Sequence, residues 1–286
     1  MIPERRLLIA AALCALSSLA AADNHKWEIR EIFSSADETV QFIELFNADK
    51  DEHTLAGMTL TTASGSLFVF PSNLPSSATE NRRLLLATAA FAAIPGAPAP
   101  DYVIPAGFLD RTGDTLTYTA TPDAVNFGAL PVDGVTAITD TGAQVVNSPT
   151  NFANASGSVL LATAAVRIGN GTNPQVYSSS PAAFGKLWTA SISTVGHPGN
   201  PPAFVIIGAH RAGASGPILP YGQLLVDVLT PQVFELVKPA APGGVTSFDA
   251  MVPVNLVLLG RTLATQGVIV GNRIRLTNAV DLKLGW

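Results

Sequence analysis

Four histidines, one serine in a small-residue loop and several carboxylates are the residues of this chain whose types could do chemistry. His25, His53, His197 and His210 share no helical or cross-strand spacing. None lies in a His-Glu-x-x-His frame, so each reads as a lone surface or turn histidine rather than a metal ligand. His210-Arg211 precedes Ala212-Gly213-Ala214-Ser215-Gly216, which invites a hydrolase reading. A nucleophile elbow needs Gly-x-Ser-x-Gly between a strand and a helix. Here Pro217 takes the second glycine position and no helical pattern follows. Asp49, Asp51 and Glu52 crowd one loop, and a calcium site needs about six oxygens. Lys50 stands between them and the EF-hand glycine frame is missing, so solvated loop charge is expected. Glu31 and Glu44 could form an acid/base pair, which requires two carboxylates at a controlled separation. Fixing loops by hydrogen bonds is the preferred reading of both. Gly169-Asn170-Gly171 and Gly243-Gly244 lack the lysine and helix of a phosphate loop. No catalytic, cofactor-binding or metal-ligating residue is assigned.

The elements that would position such groups follow from composition. Of 286 residues only 13% are charged and 48% are hydrophobic, with 24 Gly and 21 Pro. A disordered chain would be rich in charge and poor in apolar residues. A coiled coil would be rich in Glu, Lys and Leu. The net charge of -5 lacks the basic footprint of a nucleic-acid binder. A turn-rich β protein is expected.

Residues 1–22 read as a signal peptide. Arg5-Arg6 gives the basic start, Leu7 to Leu19 the apolar stretch, and Ala20-Ala21-Ala22 the small residues before a cut ahead of Asp23. Export to the periplasm or the extracellular space is expected. The single cysteine, Cys14, lies inside this segment, so the mature chain would hold neither disulfides nor thiolate ligands. No membrane span is expected after cleavage, because Leu84 to Pro100 and Leu187 to His210 are broken by prolines.

Short apolar runs between Gly, Pro, Asn and Asp predict strands. In the first half they cover Trp27–Phe33, Val40–Phe46, Met58–Thr62, Leu67–Phe70, Arg82–Ala87 and Thr115–Thr119. In the second they cover Val159–Arg167, Lys186–Ser193, Ala203–Ile207, Gln223–Val228, Gly267–Val270, Arg273–Thr277 and Val280–Leu284. One short helix is expected near Ala89–Ala93, stopped by Pro95. A two-residue Gly271-Asn272 loop predicts a hairpin with Ile274 and Leu276 inward and Arg273 and Arg275 in water. The alternation Val280, Leu282, Leu284, Trp286 reads as the closing strand of a sandwich. Residues 147–158 are small, polar and uncharged, as a linker would be. They divide the mature chain into domains at 23–146 and 159–286.

One ordered series in the first half carries a resemblance. Trp27 to Phe33 is followed by Gln41-Phe42-Ile43-Glu44-Leu45-Phe46-Asn47, then Leu55-Ala56-Gly57-Met58-Thr59-Leu60. Phe68-Val69-Phe70-Pro71, Arg83 to Ala87 and Gly113-Asp114-Thr115-Leu116 complete it. Over roughly residues 24–150 this resembles the lamin-tail domain family of secreted bacterial proteins. Met58 replaces the usual tryptophan, and Ile94–Pro105 is a proline-rich insertion. The resemblance implies an immunoglobulin-like β-sandwich and a non-enzymatic interaction module. The expected fold is therefore all-β: two β-sandwich domains, the first immunoglobulin-like. The expected function is that of a secreted, non-catalytic binding or structural protein, with a protein or glycan partner at the cell envelope and no cofactor. The alternative is a carbohydrate-binding module or secreted hydrolase. Trp188, Tyr177, Tyr102 or Tyr221 would then offer a sugar platform.

Overall fold

A computed structural model describes residues 26–118, 123–197, 204–210, 216–241 and 244–286. The segment expected as a signal peptide, with Cys14, and His25 and Ser215 lie outside the described residues. The first half contains β1 (Glu28–Ser34), β2 (Gln41–Asn47), β3 (Thr59–Thr62), β4 (Leu67–Val69) and β5 (Arg82–Thr88). Helix α1 (Ala89–Ala92) follows, then β6 (Tyr102–Ile104), β7 (Asp114–Tyr118), β8 (Asp123–Phe127), β9 (Thr136–Thr139) and β10 (Gln144–Val146). The second half contains β11 (Thr163–Arg167), β12 (Tyr177–Ser179), β13 (Leu187–Ser193), β14 (Phe204–His210) and β15 (Ile218–Leu219). It ends with β16 (Gly222–Gln223), β17 (Phe234–Pro239), β18 (Val245–Met251), β19 (Thr262–Val270) and β20 (Ile274–Lys283).

The fold is all-β. A six-stranded sheet, β10-β9-β1-β2-β5-β6, packs on a four-stranded sheet, β4-β3-β7-β8. A five-stranded sheet, β11-β20-β19-β14-β17, packs on a three-stranded sheet, β12-β13-β18. Inside the first sandwich Ile43 and Leu45 of β2 join Leu84 and Leu86 of β5 against Leu60, Leu116 and Tyr118 of the opposite sheet. Burial of each such side chain contributes roughly 1.5–3 kcal/mol. The alternate residues of the same strands, Phe42 and Leu85, form a second cluster on the outer face with Phe33. Phe33 stacks on Phe42 at 5.4 Å, and Phe91 meets Phe42 edge-on at 5.5 Å. Phe91 comes from α1, whose first turn is capped by the Thr88 hydroxyl accepting from Phe91 N at 3.3 Å. Both faces of β2 are thus buried, as its apolar run requires.

In the second sandwich Trp188, Ala190, Ile192 and Phe248 meet Val205, Ile207, Ile269, Val280 and Leu282. Here three expectations change. The two strands expected at 273–277 and 280–284 are one continuous strand, β20. Its polar middle stays paired because Gly267 bulges and donates its N–H to Thr277 Oγ1, while Asn278 Oδ1 accepts from Tyr177 N. The hairpin loop has three residues, since Val270 pairs with Ile274, and Ile274 is left half exposed while Leu276 points inward. The strand expected over Gln223–Val228 is reduced to the two-residue β16 (Gly222–Gln223) and a single bridge residue at Val226. Beyond it, Leu225 N donates to the Gln266 side chain instead of a neighbouring strand.

The two sandwiches meet along the end of β20. Trp286 N donates to Leu160 O and Trp286 O accepts from Ala162 N, both at 3.0 Å. The Trp286 ring packs edge-on against Phe184 at 5.4 Å and also touches the outer cluster of the first sandwich. A cleft of about 770 Å³ runs beside this seam. No helix among the described residues is long and apolar enough to cross a membrane.

Candidate functional site

Glu31 and Glu44 are brought together. They are direct cross-strand partners on β1 and β2, displaced by a bulge between Ile29 and Glu31. Strand alternation places them on the outer face, where residues 147–152 cover them. Both are buried, Glu44 completely. Glu31 Oε1 accepts from Ser148 N at 2.8 Å and Oε2 from Ser148 Oγ at 3.0 Å. Glu44 Oε2 accepts from Thr150 N at 2.8 Å, and Oε1 is paired with the Arg83 guanidinium.

Burial pushes the Glu44 carboxyl up to about 7, against the opposing charge and hydrogen bond of Arg83; the neighbouring Glu31 charge adds to the rise. Burial likewise raises Glu31, outweighing its bonds from Ser148. A carboxyl near neutrality suits general acid–base work. Here, however, each of the four carboxylate oxygens already has a donor from Ser148, Thr150 or Arg83. A cavity of about 400 Å³ lies over the pair, bounded by Arg30, Phe46, Arg83 and Asp140. Both arginines lie over the Phe46 ring, at 5.5 and 5.8 Å, and Arg30 also pairs with Asp140 at 2.5 Å.

Sequence reasoning missed a third carboxylate of the same kind. Asp101 Oδ2 accepts from Leu85 N at 2.8 Å and Phe152 N at 2.9 Å. Its pKa is raised, again chiefly by burial. Asn147 is fully enclosed, donating to Val135 O and Val159 O and accepting from Val159 N. Residues 147–158, expected as a linker, are therefore stitched onto the first sandwich through side-chain acceptors. Their small, polar composition is what close backbone approach to buried carboxylates demands. An Asp or Asn at a strand end next to an uncharged run was the available signal.

The other expected residues scatter. In the loop after β2, Asp49 pairs with Lys26 at 3.2 Å. Glu52 is buried rather than solvated, with its backbone carbonyl accepting from Trp27 Nε1 at 2.8 Å. Among the described residues no group of three or more His, Cys, Asp or Glu is arranged to hold a metal ion. His53 stays in its loop, 3.3 Å from Asp51 O. His210 ends β14, and its proposed partner Ser215 lies outside the described residues. Trp188, Tyr177 and Tyr102 are core residues, whereas Tyr221 is 41% exposed. His197 and Tyr221 line one cleft with Arg273 and Arg275.

Neither protein-family models nor curated proteins give a match to this chain.

Proposed function

We propose that this is an exported, non-catalytic binding or structural protein of the cell envelope or extracellular space, built on a lamin-tail-like, immunoglobulin-type sandwich and a second sandwich. The observation that carries the reading is the occupation of all four oxygens of the Glu31–Glu44 pair by the protein's own donors. The groups best suited to acid–base chemistry serve to hold residues 147–152. The motif series supports the family reading: Gln41–Asn47 is an interior strand, and Gly57 turns the chain with φ +86° before β3. The N-terminal signal pattern supports export. A glycan partner is favoured over a protein by Tyr221, the one exposed member of the four aromatics considered as a sugar platform.

The test is a glycan array and an envelope-fraction pull-down, run beside turnover assays on glycoside and ester substrates. Saturable binding without turnover is expected. Turnover that Glu44→Gln abolishes would overturn the reading.

A further inference from the structure

The two halves differ sharply in charge. Residues 159–286 carry eight Lys/Arg against four Asp/Glu, a net of +4, whereas residues 23–158 carry six against sixteen, a net of -10. The second sandwich concentrates part of that positive charge in a cleft of about 400 Å³, lined by Thr172, His197, Tyr221, Arg273 and Arg275. No Asp or Glu lines it. Neither arginine has an ion-pair partner among the described residues, and the internal segments outside that set contain no Asp or Glu. Arg273, the last residue of the β19–β20 hairpin loop, and Arg275, the second residue of β20, both line the cleft.

The opposite wall is held rigidly. It is the β15–β16 hairpin, with Tyr221 at its turn and Tyr221 O accepting from Leu276 N at 2.9 Å. Gly222 follows at φ +131°, where a Cβ would stand 2.6 Å from Asn173 Oδ1. Beneath lies a buried polar network. Gln223 N donates to Asn173 Oδ1 at 2.6 Å, and Gln223 O accepts from Asn173 Nδ2 and Gln266 Nε2. Asn173 and Gln266 also donate to Thr277 O on β20, tying the hairpin to the arginine strand. A buried network with its partners in place fixes one geometry, and a preorganised wall loses little freedom on binding.

We infer that this cleft binds an acidic saccharide, its carboxylate or sulfate group held by Arg273 and Arg275 and a sugar ring laid against Tyr221. This rests on the binding function proposed above. Guanidinium groups pair with two oxygens of a carboxylate or sulfate in bidentate fashion, and a half-exposed tyrosine offers an apolar face with a polar tip. A concave, polar-lined site suits a chain of sugars better than a flat lipid surface. On a chain of net negative charge, the attraction is local to this end of the molecule.

The experiment is calorimetric titration of the purified protein with oligogalacturonate, heparin oligosaccharide, a neutral cello-oligosaccharide and anionic phosphatidylglycerol vesicles. Oligogalacturonate or heparin should bind saturably and more weakly as salt rises; which of them binds identifies carboxylate or sulfate. The double variant Arg273→Gln/Arg275→Gln should lose roughly tenfold or more in affinity. Arg273→Lys/Arg275→Lys should recover only part, because lysine lacks the bidentate fork. Circular dichroism melts establish that each variant is folded. Unchanged affinity in the folded glutamine variant, binding to vesicles alone, or binding to the neutral oligosaccharide alone would overturn the assignment. The last outcome would leave the binding function standing, whereas turnover lost with Glu44→Gln would remove that function itself.

Discussion

Glu31 and Glu44 face each other across neighbouring antiparallel strands, and their carboxylates hold the backbone N–H groups of Ser148 and Thr150, two residues apart. Two strands of the six-stranded sheet thereby dictate the path of a segment more than 100 residues later. Directly opposed carboxylates repel. Arg83 and the covering backbone donors offset that repulsion, which makes the arrangement sensitive to protonation.

Stability should therefore fall as pH rises from about 4.5 to about 7. The folded-state Glu44 pKa of about 7 lies above its ordinary value of 4.5, so between these the native state binds more protons than the unfolded one. The contribution is fully present below the unfolded value and is lost as pH passes the folded one. Glu31 and Asp101, both raised by burial, act in the same direction. Thermal melts from pH 5 to pH 8 should show a declining Tm, and Glu44→Gln should flatten much of that slope. A Tm that rises across this window would contradict the assignment.

Asp101→Ala should destabilise by about 1 kcal/mol or more, because it leaves Leu85 N and Phe152 N without their half-buried acceptor. Urea unfolding measures this. Proteolysis around Phe152 should also accelerate in the variant.

The seam between the sandwiches has its own test in Gly285→Ala. A Cβ there would stand 2.5 Å from Leu161 C and 2.6 Å from Ala162 N, which are backbone atoms that cannot rotate away. Forced shifts of this kind cost typically about 1–3 kcal/mol. Equilibrium unfolding should show that loss, and an unchanged midpoint would mean that the seam yields easily.

Much of the fold was legible in sequence because apolar alternation and turn residues agree. The strands expected at Val40–Phe46 and Arg82–Ala87 and the short helix expected near Ala89–Ala93 appear as Gln41–Asn47, Arg82–Thr88 and Ala89–Ala92. Phe234–Pro239 and Val245–Met251 escaped, since a lysine and a terminal proline interrupt the first and small polar residues the second. Thr277-Asn278 concealed the continuity of β20, because a buried polar pair is satisfied only by partners distant in sequence, Gly267 and Tyr177. The same reason separates the two sites. Glu31 and Glu44 stood out as paired carboxylates on strands, and their loop-fixing role followed from the motif around them. The cleft did not stand out, because Tyr221, His197 and Arg273 meet only after the β15–β16 hairpin folds onto β20.

The central claim is that the Glu31–Glu44 pair closes the first sandwich instead of presenting a reactive group. Hydrogen exchange at the Ser148 and Thr150 amides, compared between the native protein and a folded Glu31→Ala/Glu44→Ala variant, tests it most directly. Slow exchange in the native protein is expected, becoming much faster in the variant while β5 and β7 amides stay protected. Exchange at unprotected rates in the native protein, or protection that survives the double substitution, would contradict it.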